Sequence, residues 1–332
     1  MAIVIVGGAG YIGSHVVRAL ERKGHEVVVF DNLEKGHREA VGDTAFVRGD
    51  LRRKGDVQRL FEKYEVSAVM HFSAYSIVPE SMEKPELYYE NNIGGTVNLL
   101  AAMHQHGVNS FIFSSTAAVY GEPRRIPLDE DHPTVPTNVY GETKLGVERM
   151  LRWFDVVHGI KSVCLRYFNA AGADHTGDIG ELHDPETHLI PLVLQAAAGV
   201  RESISIYGDD YETRDGTCVR DYIHVTDLAD AHIRALEYVQ SEVRSDIFNL
   251  GNGNGYTVRE VIAEAEEVVG KSIPVRMSGR RPGDPAVLVA SSEKARRVLG
   301  WEPQFPSLHA IIESAWKWHR GAAREWIKKA VQ

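Results

Sequence analysis

A tyrosine stands four residues ahead of a lysine in Tyr140-Gly-Glu-Thr-Lys144, and both residue types take part in proton transfer. On a helix these two positions share one face, so an ammonium there would stabilise a phenolate and lower the phenol's pKa from about 10 toward neutrality. Lys144 can also hold a ribose. Taken alone, the pair equally fits a core tyrosine beside a solvated lysine. Two upstream signals change its meaning. Gly7-x-x-Gly10-x-x-Gly13 follows the apolar run Ala2–Val6. Gly7 would permit a tight turn, Gly10 the approach of a pyrophosphate, and Gly13 close packing of the following helix. That helix's N-terminus would face the phosphates, where unpaired N–H groups favour an anion. Asp31 ends the next apolar run, where a carboxylate accepts hydrogen bonds from ribose hydroxyls and repels a 2′-phosphate, so NAD is favoured over NADP. Asp50-Leu51 is suited to adenine contact. A substrate hydroxyl partner is expected from Ser114-Ser115-Thr116.

These residues meet only if strands and helices alternate. Ala2–Val6, Glu26–Phe30, Ala45–Val47, Ala68–Phe72, Ser110–Ser114 and Ser162–Arg166 read as buried strands. Helical patterns lie between them, among them Lys54–Lys63, Asn91–His106 and one carrying Tyr140 to about His158. The alternation predicts βαβ units and an α/β, doubly wound parallel sheet of the Rossmann type. After Ala170 the rhythm breaks into a stretch rich in Gly, Asp and His. Residues 171–332 are therefore expected to form a smaller C-terminal α/β lobe that binds substrate over an NAD-binding domain of residues 1–170. A segment near 220–235 is expected to rejoin the first domain.

The 332 residues carry a net charge of −9, which disfavours nucleic-acid partners. No apolar run is long enough to suggest a membrane span. Two cysteines, Cys164 and Cys218, build no disulfide framework and have no metal-like spacing. No metal is expected, and a cytoplasmic, reducing setting is.

With those motifs in view, the chain resembles the extended short-chain dehydrogenase/reductase family nearly end to end, most specifically its sugar-nucleotide epimerases. The resemblance is carried by Gly7–His15, Asp31-Asn32-Leu33, His71-Phe72, Tyr88–Asn92, Phe111–Gly121, Tyr140–Lys144, Leu165–Asn169 and Gly216–Val225. It implies reversible C4 epimerisation of UDP-galactose and UDP-glucose through a 4-keto intermediate, with tightly bound NAD. Tyr140 would be the base, Lys144 its partner and ribose anchor, and Thr116 the hydroxyl on the sugar O4. Tyr11, Ile12, Asp31, Asn32, Asp50, Leu51, Phe72, Asn91 and Phe168 would line NAD. Asn169, Arg220, Arg281 and Asp284 would grip the UDP part of a UDP-hexose. A homodimer through the helices Asn91–His106 and Val139–His158 is also implied.

Related dehydratases place an acidic pair directly after the catalytic Thr, and related decarboxylases a Glu at the second of these positions; here Ala117 and Ala118 stand there. Dehydration thus lacks its acid and base. Three positions depart from several relatives: Thr116 replaces a serine, Ser76 a lysine near the cofactor, and His188 a substrate-facing asparagine. Leu288 falls at a size-determining pocket position, which leaves UDP-N-acetylhexosamines and UDP-pentoses open as substrates. Fold alone would also admit a dehydrogenase that releases NADH or a non-catalytic NAD-responsive regulator.

Overall fold

Side chains buried on both faces set the central sheet of this computed structural model, which describes residues 1–281, 283–323 and 326. In β1 (Ala2–Val6), Ile3 and Ile5 enter one core while Ala2, Val4 and Val6 enter the other. That period of two, apolar throughout, belongs to a strand covered from both sides. Each such Val or Ile stabilises the fold by about 1.5–3 kcal/mol through burial.

The first half continues with β2 (Val27–Asp31), β3 (Ala45–Arg48), β4 (Val66–His71), β5 (Ser110–Thr116) and β6 (Lys161–Tyr167). Its helices are α1 (Tyr11–Arg22), α2 (Lys54–Lys63), the short α3 (Val78–Glu83) and α4 (Pro85–Tyr88), α5 (Gly95–Gln105) and α6 (Val139–His158). The expected strands and long helices appear within a few residues of their anticipated ends. The helix expected from Asn91 instead opens with a wide π-turn over Tyr89–Gly94 before α5 begins.

Beyond β6 come β7 (Asn169–Ala171), α7 (Leu189–Ala197), β8 (Ile204–Tyr207), β9 (Val219–Arg220), β10 (Tyr222–His224) and α8 (Val225–Glu242). They are followed by β11 (Asp246–Leu250), β12 (Tyr256–Thr257), α9 (Val258–Val269), β13 (Val275–Ser278), β14 (Val287–Leu288), α10 (Glu293–Leu299) and α11 (Leu308–Arg320). The expected second lobe runs to residue 332, whose last residues lie outside those described.

The parallel sheet has the order β11-β6-β5-β4-β1-β2-β3. Chain order therefore reverses between β1 and β4, and the crevice at their carboxyl ends is where such sheets bind ligands. Residues Val6, Phe30, His71 and Phe113 lie in register across β1, β2, β4 and β5, so Gly7, Asp31, Phe72 and Thr116 all emerge along one rim. Helix α8 shares a core with α1 through Leu228, Ala229, Leu236 and Val239. The sheet also gains β11, pairing parallel with β6, a strand not anticipated from its short Asp246–Leu250 sequence. A separate core gathers α7, α9 and α11 around β8 and β10. Among the described residues no helix is long and apolar enough to cross a membrane.

Candidate active site

The glycine turn is held by contacts that tolerate no side chain. Gly7 has φ +78°, and a Cβ there would come 2.5 Å from the Ser73 amide nitrogen. A Cβ on Gly13 would lie 2.3 Å from the Gly7 carbonyl oxygen. Gly10 differs, because a Cβ there meets only the Gly7 carbonyl oxygen, at 3.3 Å. Its other side is open space over the start of α1, whose first-turn amides have no intrahelical acceptor. A pyrophosphate fits that cradle as a Cβ would fill it.

Asp31, at the end of β2, accepts the Ala9 amide at 3.0 Å and the Leu33 amide at 2.8 Å. Burial raises its pKa, and these amides oppose the rise. One carboxylate thus fixes the turn and reaches the rim. Asn32 lies beside Asp50, and Asp50 is itself gripped by Arg52 at 2.6 Å. That guanidinium holds the Asp50 carboxyl below the usual range. Leu51 is buried against Gly95, the Phe72 ring lies tilted 4.8 Å from that of His232, and Asn91 is buried in the π-turn. Ile12 faces the α1 core, and the Tyr11 hydroxyl donates to the Gly172 carbonyl at 2.7 Å. Ser76 is exposed.

Helix α6 delivers Tyr140 and Lys144. Asn138 caps it by accepting the Gly141 amide at 2.9 Å, a bond of a kind that contributes about 1 kcal/mol. Gly141 then allows contact with the turn after β5, for a Cβ there would come 2.5 Å from the Ala118 carbonyl oxygen. This approach sets Tyr140 against Thr116. The three hydroxyls at the end of β5 are sorted by their partners. Ser114 bonds to the Tyr167 hydroxyl and Ser115 donates to Glu148 at 2.5 Å, the same carboxylate that pairs with buried Arg166. Thr116 accepts the Ala118 amide at 3.1 Å and is the one hydroxyl of the three beside the phenol.

Burial dominates the proton-transfer pair. Burial raises the Tyr140 pKa above its ordinary value, and the Thr116 hydroxyl, not Lys144, opposes the rise. Lys144 is turned to the backbone: Nζ donates to the Ser114 carbonyl at 2.7 Å and lies 5.9 Å from the Tyr140 ring centre. Burial lowers its own pKa to about 7, with Glu148 opposing. Its charge in the folded chain is therefore lost as pH rises through about 7.

On the other side of the crevice, the Asn169 side chain donates to the Asp221 carbonyl at 2.8 Å. The residue before Asp221, Arg220, pairs with Asp284, and the Arg281 guanidinium stacks 3.9 Å over the Tyr207 ring. Phe168 and Leu288 pack on the cluster of Val119, Tyr120, Leu128 and Leu145. A small cavity of about 30 Å³ brings Asn169 and Tyr222 together with His188, the residue that begins α7. A broader depression of about 570 Å³ at the ends of α7 and α11 carries three cations, Lys271, Lys317 and Arg320, and none of the residues named above.

Four residues close to this crevice were not singled out as a set from the sequence: Glu181, His183, Glu186 and His188. Burial alone would lower the histidines' pKa values, but the two carboxylates outweigh it and raise His183 to about 9 and His188 to about 10. Only their spacing in a Gly-, Asp- and His-rich stretch marks them.

The family model described as NAD dependent epimerase/dehydratase family matches residues 3–251. The chain is 54% identical to the UDP-glucose 4-epimerase of Halalkalibacterium halodurans over 96% of each protein. It is 52% identical to that of Lacticaseibacillus casei, covering 96% of this chain and 97% of the other. The crystal structure of UDP-glucose 4-epimerase from Brucella ovis in complex with NAD superposes with a TM-score of 0.93 at 47% identity, covering 95% and 97% of the two chains.

Proposed function

Because the chain belongs to the NAD dependent epimerase/dehydratase family, we propose that it is an isomerase that reversibly inverts C4 of UDP-galactose and UDP-glucose through a 4-keto intermediate. The carrying observation is Tyr140 beside Thr116 at the carboxyl end of β5, followed by Ala117 and Ala118 where dehydration would need an acid and a base. NAD, when bound, supplies a reversible hydride acceptor.

In this reading Tyr140 takes the 4-hydroxyl proton as a phenolate, a charge that the Lys144 ammonium stabilises once it leaves the Ser114 carbonyl, and Thr116 holds the sugar O4. Tyr140 later returns the proton to the same oxygen, and with the hydride also restored to C4 no net oxidation results. Lys144, freed from the Ser114 carbonyl, anchors the nicotinamide ribose. Gly7, Gly10 and Gly13 with Tyr11 and Ile12 seat the pyrophosphate, and Asp31 takes the adenosine ribose. Asn32, Asp50, Leu51, Phe72, Asn91 and Phe168 complete the cofactor wall. Asn169, Arg220, Arg281 and Asp284 hold UDP, and a guanidinium pairs well with a diphosphate. Tethering by UDP keeps the keto sugar in place while it turns over. Residues 1–170, with α8 and β11 added, form the NAD-binding part and the remainder the UDP-sugar lobe.

The test is incubation with UDP-galactose, separation of the sugar nucleotides and mass spectrometry. UDP-glucose without accumulating NADH is expected. A 4-keto-6-deoxy product, or no conversion with NAD bound, would overturn the assignment.

The same reading includes a homodimer. Trp153, Val156 and Val157 on α6 and Val97 on α5 are exposed apolar side chains, a face that a second copy would cover. Sedimentation should give twice the chain mass, and a Val157→Asp variant the single mass; a monomeric native protein would contradict it. The free, buried thiols of Cys164 and Cys218 suit a reducing cytoplasm.

A further inference from the structure

We propose that Glu181, His183, Glu186 and His188 form a binding site for one divalent transition-metal ion, Zn²⁺ in the first instance. One ligand atom from each of the four lies within 4.8 Å of every other. The pairs are Glu181 Oε1 to His188 Nδ1 at 2.7 Å, Glu181 Oε1 to His183 Nδ1 at 3.2 Å, His188 Nδ1 to Glu186 Oε1 at 3.3 Å and His183 Nδ1 to Glu186 Oε2 at 3.6 Å. The last three lie near the edge of about 3.3–3.6 Å expected of a tetrahedron whose metal bonds are about 2.0–2.2 Å long, and the first is shorter. Two imidazoles and two carboxylates are a donor set that suits Zn²⁺ and its first-row neighbours. The two carboxylates also balance a divalent charge.

The four groups are more than an acidic patch. Glu181 is 4% exposed, and an ionised carboxylate that deeply buried requires a cationic partner. Yet Glu181 Oε1 and His183 Nδ1 each lack a directed hydrogen bond among the described residues, despite their short separations from neighbours. Without an ion the two histidines, held protonated by the carboxylates, stand in as that partner, yet no N–H is aimed at Glu181 Oε1. A divalent ion would displace those protons and collect the lone pairs they leave.

The ligands are also held from behind. Glu186 Oε1 accepts the amides of Thr187 at 2.8 Å and His188 at 2.9 Å, which orients its carboxylate toward the histidines. The Glu181 carbonyl accepts the buried Trp318 indole N–H at 2.9 Å, so its backbone is fixed. Outer partners of this type orient metal ligands.

The location gives the ion a structural task. The segment from Gly172 to His188 crosses the cofactor turn, accepting from Tyr11 at Gly172 and from Lys35 at Asp184, and meeting His37 at Leu182. His183 lies edge-on to the Tyr11 ring at 6.3 Å. An ion joining positions 181, 183, 186 and 188 would staple this segment between the proposed NAD and UDP seats.

The experiment takes the purified protein with its bound NAD, removes metal with a chelator, and measures Zn²⁺ by equilibrium dialysis with elemental analysis. One Zn²⁺ per chain is expected. His183→Ala and Glu186→Gln should each weaken it at least as much as losing an outer partner does elsewhere, about 10–100-fold. Co²⁺ in the native protein should give the visible bands of a four-coordinate nitrogen and oxygen site, a readout that needs no variant to fold. Substoichiometric Zn²⁺, variants that bind like the native chain, or a six-coordinate aqueous-type Co²⁺ spectrum would overturn the proposal.

Discussion

The two walls of the crevice are built by different physics. On the cofactor side, backbone dictates the geometry: Gly7, Gly10 and Gly13 shape one turn, and Asp31 accepts the Ala9 amide inside it. On the substrate side, the shape depends on charged residues far apart in the chain, as Arg220 with Asp284 and Arg281 over Tyr207. The first wall is backbone and forms as a unit. The second is side chains that neutralise one another and can exchange partners for a diphosphate. A retained cofactor facing a substrate that comes and goes is what such a contrast suits.

Four substitutions probe the contrast. Tyr140→Phe, which acts where the walls meet, should lower kcat by about 10²–10⁴-fold, the usual contribution of a positioned acid–base group. NAD content by extraction should be unchanged, and near-normal turnover would remove Tyr140 as the base. Next in size, Arg220→Met should weaken UDP binding by about 10–100-fold, the equivalent of a charged hydrogen bond worth about 1.5–3 kcal/mol. Calorimetry with UDP measures it, and the NAD content should again stay constant. On the other wall, Gly13→Ala should cost about 1–3 kcal/mol by overpacking, read as a lower melting temperature. Gly10→Ala should melt normally yet retain less NAD, since only its open side is filled. If both variants behaved alike, the distinction between the packing glycine and the approach glycine would fail.

The smallest effect concerns the tie between the regions. Asp174 is buried and accepts from Arg22 of α1 at 3.0 Å. Burial would raise its pKa, but Thr176 and Arg22 prevail and lower it to about 2. A depressed carboxyl pKa stabilises the fold above the unfolded value near 4 and loses that contribution as pH falls toward 2. Relative to Asp174→Asn, the native chain should therefore be more stable by on the order of 1–2 kcal/mol at neutral pH. The difference should shrink between about pH 4 and pH 2 in melting experiments.

The same contrast explains what could be read in advance. The strands β1 to β6 and the glycine turn follow from local apolar runs and turn residues, so their places along the chain were legible. Selection among Ser114, Ser115 and Thr116 came only with the family resemblance, not from local pattern, because it depends on Tyr167, Glu148 and Arg166 arriving from other elements. β11 escaped notice because its Asp246-Ile-Phe-Asn-Leu250 is short and broken by polar residues, and its pairing with β6 is long-range. The orientation of Lys144 toward Ser114 also lay beyond helix spacing, which places two residues on one face without saying what each side chain meets. In the unliganded chain the acceptor that its ammonium meets is backbone.

The central claim is that oxidation at C4 is reversed on the same sugar. It is tested most directly by incubating the native protein with UDP-galactose deuterated at C4 and locating the label in the UDP-glucose formed. Deuterium retained at C4, with no net NADH, is predicted, because hydride would leave and return within one closed site. Loss of the label to solvent, or label accumulating in released NADH, would contradict the account.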